Sequence, residues 1–261
     1  MIYILLGIIQ GIAEFLPISS TAHLILAPYF FNFPDPGLSF DIMLHLGTLL
    51  AIIVFFWRDW FKIFYGFLRI VKNRRVKHIV DKQIFYLACA TIPAAILGYA
   101  LDDWADTIFR KPLIIAIMLF VFAIILYISD KYSDSTKTRL NLHWQQALII
   151  GCAQAFAIIP GVSRSGATIS AGRFLGLSRT EASKFSFLLS APIILGAALG
   201  HLKNNGFSNL LTINTLMGFL ASFIFATFAI KWLLGYVNKH SFGLFVWYRI
   251  ILAGIILILA T

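Results

Sequence analysis

Long runs of apolar residues, separated by short polar segments, dominate this chain of 261 residues. A helix needs about 20 mostly apolar residues to cross a bilayer. Runs that approach this length lie at about 39–57, 83–101, 112–129, 185–200, 213–234 and 245–261. They are continuous and lack the alternation of polar and apolar positions found in membrane barrel strands. The pattern predicts an all-α, polytopic membrane protein with six transmembrane helices.

Two further apolar segments, residues 1–30 and 144–176, have a different pattern. Each has an apolar stretch of 10–14 residues, a proline near its middle and then a polar cluster. A proline removes a backbone donor and clashes with the preceding turn, so each helix should break there. Broken backbone is tolerated at membrane depth only where protein buries it or it lines a wet cavity. We predict two re-entrant helix–loop–helix hairpins, with a pair of kinked spanning helices as the alternative.

These two hairpins repeat each other. Gly7–His23 reads GIIQGIAEFLPISSTAH, and Gly151–Thr168, about 144 positions later, reads GCAQAFAIIPGVSRSGAT. With three spans after each hairpin, the second half begins on the opposite side of the membrane from the first. The chain is therefore expected to be one membrane domain, 1–261, built from two inverted-topology repeats at about 1–129 and 144–261 whose hairpin tips meet near the midplane.

Composition and charge agree with a membrane protein. Hydrophobic residues make up 60% of the chain and charged residues 12%, against about 25% charged in soluble domains. The net charge of +10 invites a nucleic-acid interpretation, but eight of the 21 basic residues lie within 58–82. We interpret this segment as a short cytoplasmic loop that touches anionic lipid. The loop at 102–111, with Asp102, Asp103 and Asp106, is then on the outside.

The first hairpin carries candidate catalytic groups. Gln10 and Glu14 are four residues apart and share a helix face, whereas Ser20 and His23 share a face of the arm after Pro17. Serine is unreactive until a base activates it, and a neighbouring imidazole is the usual base. Glu14, Ser20 and His23 are therefore candidates for catalysis.

The second hairpin carries candidate anion-binding groups within Pro160–Thr168. Gly161 allows close backbone approach, and backbone donors at the start of a helix favour phosphate oxygens. The guanidinium of Arg164 matches phosphate or carboxylate geometry. Further hydroxyl donors come from Ser163, Ser165 and Thr168.

Structural roles remain open for several of these residues. Ser19 and Thr21 are also typical helix caps. His23 has the option of bonding a backbone carbonyl, and Arg164 that of neutralising Glu14. An intramembrane ion pair is nonetheless a functional site by default. Asp41 and His45 either make a polar contact that supports the site or are ordinary residues of the membrane interface.

At these two motifs the chain closely resembles the undecaprenyl-diphosphate phosphatase family, the bacitracin-resistance type of bacterial membrane phosphatase, over essentially its full length. The first family motif, Glu or Gln and then Glu, is matched by Gln10 and Glu14; the second, Pro-Gly-x-Ser-Arg-Ser-x-x-Thr, is matched in full by Pro160–Thr168. Many members have Glu in place of Gln10 and Gly in place of Ala22. Glu14 is therefore the only carboxylate of its motif.

The resemblance implies hydrolysis of undecaprenyl diphosphate to the monophosphate and inorganic phosphate. This reaction recycles the lipid carrier of peptidoglycan synthesis and confers bacitracin resistance. The resemblance also implies a divalent cation, Mg²⁺ or Ca²⁺, with Glu14 as its ligand, and a bacterial cytoplasmic membrane with the site open to the outer face. The expected partners are a polyprenyl diphosphate and membrane lipids, without nucleic acid, and a homodimer stays open.

Under this resemblance Ser20 attacks the terminal phosphorus with His23 as base, while His23 itself and a water molecule are alternative nucleophiles. Arg164 stabilises charge in the transition state. The diphosphate is bound by Gln10, Ser19, Gly161, Ser163, Ser165 and Thr168.

A transporter is the competing function, because inverted repeats with broken helices are also a transporter design. A lipid-phosphate flippase would use the same site. The cluster of Glu14, Ser20, His23 and Arg164 is richer than lipid binding needs, which favours the enzyme. The type-2 phosphatidic acid phosphatases are excluded because the chain lacks their Lys-x6-Arg-Pro motif.

Overall fold

The computed structural model describes residues 1–76, 78–101, 104, 108–133, 137–205 and 212–260. These ranges contain eleven α-helices and no β-strand, which confirms the all-α prediction. Numbered in chain order, the helices are α1 (Ile2–Ala13), α2 (Ser20–Phe31), α3 (Leu38–Phe55), α4 (Trp57–Asn73), α5 (Gln83–Ala100), α6 (Pro112–Lys131), α7 (Trp144–Ala155), α8 (Arg164–Phe174), α9 (Arg179–Asn205), α10 (Ile213–Val237) and α11 (Gly243–Ala260).

Five helices in the described ranges are long and apolar enough to cross a membrane: α3, α5, α6, α9 and α10. They coincide with five of the six predicted runs and confirm a polytopic membrane protein. The sixth run forms α11, whose apolar stretch Gly243–Leu259 is shorter than the five candidate spans. A sixth span therefore stays a prediction.

Both proline-containing segments are broken helices. In the first, α1 ends at Ala13 and α2 begins at Ser20, with Pro17 between them; in the second, α7 ends at Ala155 and α8 begins at Arg164. The residue before each second arm has a positive φ, 72° at Ser19 and 70° at Ser163. Each of these serines accepts a hydrogen bond from a backbone N–H three residues later, which caps the helix.

The first arm of each hairpin packs closely against a long helix through glycine. A Cβ atom added at Gly7 would lie 2.4 Å from the carbonyl oxygen of Gly218 in α10. A Cβ atom added at Gly151, 144 positions later, would lie 2.4 Å from the carbonyl oxygen of Ala90 in α5. No side chain larger than glycine fits at either backbone contact.

The long helices pack across the two halves of the chain. Helix α3 contacts α10, α9 contacts α5, and α6 contacts α11. The break between α1 and α2 lies inside this bundle, where the fully buried ring of Phe15 packs edge-on against Phe187 at 5.0 Å between centroids. In the second segment residues 160–163 are buried as well, so the tips of both broken segments lie within the protein, as their unpaired backbone groups require.

The basic segment 58–82 is not a loop, and that prediction is wrong. It contains α4 and, after residues 74–78, a short 3₁₀ helix at Ile79–Lys82. Apolar and aromatic side chains recur along α4 at helical spacing, which explains the difference. Asp102, Asp103 and Asp106 of the predicted outer loop lie outside the described residues.

Candidate active site

The polar tips of the two hairpins touch each other. The backbone N–H of Gly161 donates to Ser19 Oγ at 3.1 Å, and Ser165 Oγ donates to the carbonyl oxygen of Leu16 at 3.0 Å. Because α2 and α8 both begin at these tips, the positive ends of two helix dipoles converge here. The contact creates a buried polar centre that favours an anion.

Glu14 lies at the middle of this centre. Its Oε1 accepts from Arg164 Nη2 at 2.6 Å across the two hairpins. Its Oε2 accepts from Ser20 Oγ at 2.6 Å and from Gln10 Nε2 at 3.0 Å. Because Glu14 follows the last turn of α1 and Ser20 begins α2, the break brings the carboxylate and hydroxyl together. Glu14 is 6% exposed, and its buried charge is balanced by Arg164, which comes from the other half of the chain.

His45 approaches the same carboxylate from α3. Its Nε2 lies 3.7 Å from Glu14 Oε2, and its Nδ1 lies 2.7 Å from the carbonyl oxygen of Asp41. Since a carbonyl only accepts, Nδ1 carries the proton and Nε2 faces the site. Of the pair noted in the sequence, His45 lies beside the carboxylate.

His23 is held in a similar way but does not bond to Ser20. Its Nδ1 donates to the carbonyl oxygen of Ser19 at 2.7 Å, and its Nε2 lies 2.6 Å from the hydroxyl of Tyr248, whose ring stacks on the imidazole. The Ser20 hydroxyl bonds instead to Glu14. A carboxylate is a stronger acceptor than a neutral imidazole, which explains why the pair expected from spacing does not form.

The remaining predicted hydroxyls have local partners. Ser163 Oγ caps α8 and lies 3.2 Å from Ser165 Oγ. Thr168 Oγ1 donates to the carbonyl oxygen of Arg164 at 2.8 Å and lies 2.7 Å from Ser186 Oγ of α9. The structure thus directs the Thr168 hydroxyl to helix packing, whereas Ser19 and Ser165 bond across the two tips.

Two residues of α11 complete the centre and were missed in the sequence. Arg249 is fully buried and donates to the carbonyl oxygens of Pro17 at 3.2 Å, Gly161 at 2.8 Å and Val162 at 3.0 Å, so it joins both tips. It also donates to carbonyl oxygens of α6. The sequence did contain a signal for Arg249, because a charged residue inside the apolar run 245–261 is rare and costly. Nothing in the sequence pointed to Tyr248.

Two buried polar atoms of this centre, Gln10 Oε1 and Arg164 Nη1, have no hydrogen-bond partner among the described residues. One is an acceptor beside Glu14 and the other a guanidinium donor opposite it. Leaving such groups unpaired costs about 1–3 kcal/mol each. They are therefore groups that a ligand carrying both a cation and phosphate oxygens would satisfy.

The donor set limits what metal could bind. No group of three or more His, Cys, Asp or Glu side chains able to hold a metal ion occurs in the described part of the chain. Mg²⁺ is nevertheless often bound by one or two carboxylates together with substrate phosphates and water. Glu14 and the unpartnered Gln10 Oε1 supply two oxygen atoms of the right kind. The residues fit a cation that is shared with the phosphates of a bound ligand and do not form a complete protein cage.

Comparison with known proteins gives consistent matches. Undecaprenyl-diphosphatase of Pelotomaculum thermopropionicum is 47% identical over 264 residues, which cover 98% of this chain and 95% of the relative. The protein of the same name from Elusimicrobium minutum is 48% identical over 261 residues, covering 98% and 96%. That from Gemmatimonas aurantiaca is 45% identical over 253 residues, covering 97% and 95%.

The match is also shown at the level of the family. The family described as "Bacitracin resistance protein BacA" matches residues 3–255, which include all eleven described helices except Ile2 of α1 and residues 256–260 of α11. With its long apolar helices, the chain is an integral membrane protein. A polar centre assembled from two broken helices, full-length relatives and this match together establish that the chain belongs to the bacitracin resistance protein BacA family.

Proposed function

We propose that this protein hydrolyses undecaprenyl diphosphate to undecaprenyl phosphate and inorganic phosphate. The observation that carries the proposal is the buried Glu14 carboxylate, bonded to Arg164 and Ser20 where the hairpin tips meet. Relatives at 45–48% identity over nearly the whole chain are named for this activity. A flippase is not favoured, because these relatives are named as phosphatases.

The diphosphate binds at the converging N-termini of α2 and α8. Their backbone N–H groups and dipoles favour phosphate oxygens, and Arg164 Nη1, which lacks a partner among the described residues, adds a charged donor. Because these groups are held in a water-poor interior before substrate arrives, they stabilise charge that develops on the transferring phosphoryl group. The prenyl chain remains in the lipid.

Ser20 Oγ attacks the terminal phosphorus, and the bond from that phosphorus to the bridging oxygen breaks. The electron pair of that bond leaves with undecaprenyl phosphate, and the hydroxyl proton passes to Glu14 Oε2, to which it already points at 2.6 Å. Glu14 thus takes the role of base that spacing had assigned to His23. The product of this step is a phosphoserine.

Water then attacks the phosphoserine, and His23 Nε2 accepts a proton from it. The Nδ1–H bond to Ser19 fixes the neutral tautomer, in which Nε2 carries the electron pair. This pair accepts from the Tyr248 hydroxyl at rest, and the hydroxyl rotates away when the pair takes the proton of the water. Ser20 Oγ leaves phosphorus as inorganic phosphate forms and recovers its proton from Glu14, and His23 then releases the proton of the water to the solvent. Tyr248 holds the imidazole in place through its hydroxyl.

A divalent cation, Mg²⁺ or Ca²⁺, would be held by Glu14 and Gln10 Oε1 together with the phosphates of the substrate. When bound, it supplies neutralisation of phosphate charge.

We also propose the finer topology: six spans and two re-entrant hairpins in inverted repeats, in the bacterial cytoplasmic membrane with the site open to the outer face. Support comes from equivalent features 144 positions apart, namely the glycine contacts of Gly7 and Gly151 and the positive φ of Ser19 and Ser163. The packing of each half on the other gives further support.

Phosphate release from undecaprenyl diphosphate by purified protein tests the activity. We expect release by the wild type, loss with EDTA, and a reduction of at least about 100-fold in Glu14→Ala and Arg164→Ala. Thr227→Ala, which removes a hydroxyl bonded within α10, is the control and should be fully active. No release by the wild type, or unchanged release in both variants, contradicts the proposal.

Trapping of radiolabelled phosphate on the protein tests the nucleophile. An acid-stable adduct that is absent in Ser20→Ala supports Ser20. An acid-labile adduct that is absent in His23→Ala assigns the attack to His23, and the lack of any adduct favours direct attack by water.

A further inference from the structure

Helix α4 presents three different faces. One face packs on the protein: Ile63 and Gly66 are buried, and a Cβ atom added at Gly66 would lie 3.1 Å from Asp81 Oδ1. Ion pairs of Asp59 with Arg139 and of Arg69 with Asp81 tie this helix to the rest of the bundle. These contacts fix the orientation of α4, so its other two faces point away from the helical bundle.

The second face is apolar and exposed. Trp57, Phe64 and Val71 are 52%, 55% and 61% exposed, although they recur along one side of the helix. The same side carries further exposed apolar groups, Phe61, Phe67 and Leu68. An apolar patch of this kind has to be covered. α4 itself is not among the helices of the described chain that are apolar enough to cross a membrane.

The third face is basic and borders the apolar one. Between Arg58 and Arg75 the chain has six basic side chains and one acidic one. Where the two faces meet, a groove of about 480 Å³ lies between α4 and the turn that follows it. The groove is lined by Phe61, Lys62, Tyr65, Arg69, His78 and Val80. It therefore combines apolar and cationic groups along one edge.

We propose that α4 lies in the plane of the membrane interface and that this groove binds an anionic phospholipid. The headgroup phosphate lies at Lys62, at His78 and at the exposed side of Arg69, whose Nη2 is paired with Asp81. An in-plane helix buries its apolar face at the headgroup boundary and keeps its basic residues at the lipid phosphates. The excess of positive charge selects an anionic lipid over a zwitterionic one. This site is separate from the catalytic centre, so its test does not depend on hydrolysis.

Native mass spectrometry of the full-length protein tests this site. The probes are phosphatidylglycerol and phosphatidylcholine with the same acyl chains. The wild type should retain phosphatidylglycerol in preference, and added NaCl should weaken retention. Lys62→Gln should reduce retention about fivefold, the effect of one cation near a lipid surface. Lys239→Gln removes an equal charge from another exposed position and should change nothing.

Two results would overturn the proposal. The first is equal retention of the two lipids by the wild type, which would indicate that the basic face binds an acidic protein and not an anionic lipid. The second is an equal loss of phosphatidylglycerol in Lys62→Gln and Lys239→Gln, which would show that retention depends on the overall charge of the protein and not on this groove. Lys62 lies on an exposed face of α4, so its substitution leaves the packing of the helix intact.

Discussion

At the scale of residues, the polar centre is defined by the acceptor to which each donor bonds. Ser20 and His23 share a helix face, yet Ser20 bonds to Glu14 and His23 to Ser19 and Tyr248. The sequence was sufficient to identify the polar residues because charge in an apolar segment is costly and rare. It could not identify their pairing, because Tyr248 comes from a helix 225 residues away in the chain.

The role of Tyr248 can be tested with Tyr248→Phe. The ring would still stack on His23, but the hydroxyl bond to Nε2 would be lost. We expect kcat to fall by up to about tenfold, the value of one hydrogen bond, with little change in KM. Tyr236→Phe is the control, since Tyr236 stacks on His240 in the same manner. Steady-state kinetics of both variants measures kcat and KM. An equal loss of kcat in the two variants would argue against a positioning role for Tyr248.

Gln10 gives a prediction about metal affinity. Gln10→Glu adds a second carboxylate beside Glu14, and cation affinity rises with the number of charged ligands. We expect the Mg²⁺ concentration at half-maximal activity to fall, and direct binding of Mn²⁺, measured by electron paramagnetic resonance, to become tighter. Gln10→Met, which lacks the carbonyl oxygen, should shift both quantities the other way. Unchanged Mn²⁺ binding in both variants would show that Gln10 is not a ligand of the cation.

At the scale of elements, the site depends on how two helices end and two begin. The prolines marked these breaks in the sequence, because a missing donor and a steric clash are properties of the residue itself. Helix α4 was mistaken for a loop because its basic residues obscured its apolar face. The positive φ of Ser19 and Ser163 could not be foreseen, since non-glycine residues seldom adopt it.

This strained backbone predicts an unusual order of stability. Ser19→Ala loses the cap and the bond from Gly161 while keeping a Cβ atom at φ 72°. Ser19→Gly loses the same bonds but relieves the backbone. We expect the alanine variant to be the less stable by about 1 kcal/mol. Thermal unfolding in detergent measures this difference, and the reverse order would show that the positive φ carries no strain.

At the scale of the whole molecule, each hairpin is held by helices from the opposite half of the chain. The lengths of the apolar runs predicted the five long helices that the structure contains, and the prolines predicted the two broken segments. It could not predict their contacts, because an apolar helix in lipid gives no sequence signal for its partner. In a membrane, close packing through small residues replaces the hydrophobic effect between helices.

The glycine contacts test this packing between halves. Gly7→Ala would place a Cβ atom 2.4 Å from the Gly218 carbonyl oxygen, so α1 must shift and carry Gln10 and Glu14 with it. We expect a lower Tm, by several degrees or more, and a loss of activity. Gly254→Ala has no atom within 4 Å of the new Cβ and should leave both unchanged. Equal behaviour of the two variants would contradict the role of this contact.

Arg249 has a consequence for how the enzyme finishes its reaction. Glu14 balances Arg164, but the hydrogen bonds of Arg249 go to carbonyl oxygens and none of them neutralises it. An arginine keeps its charge, and no carboxylate of the described residues forms an ion pair with Arg249, so its positive charge is buried against both tips of the polar centre. Such a charge also attracts the small inorganic anion that hydrolysis leaves behind. We therefore expect inorganic phosphate to bind at this centre, so that added phosphate inhibits the enzyme competitively.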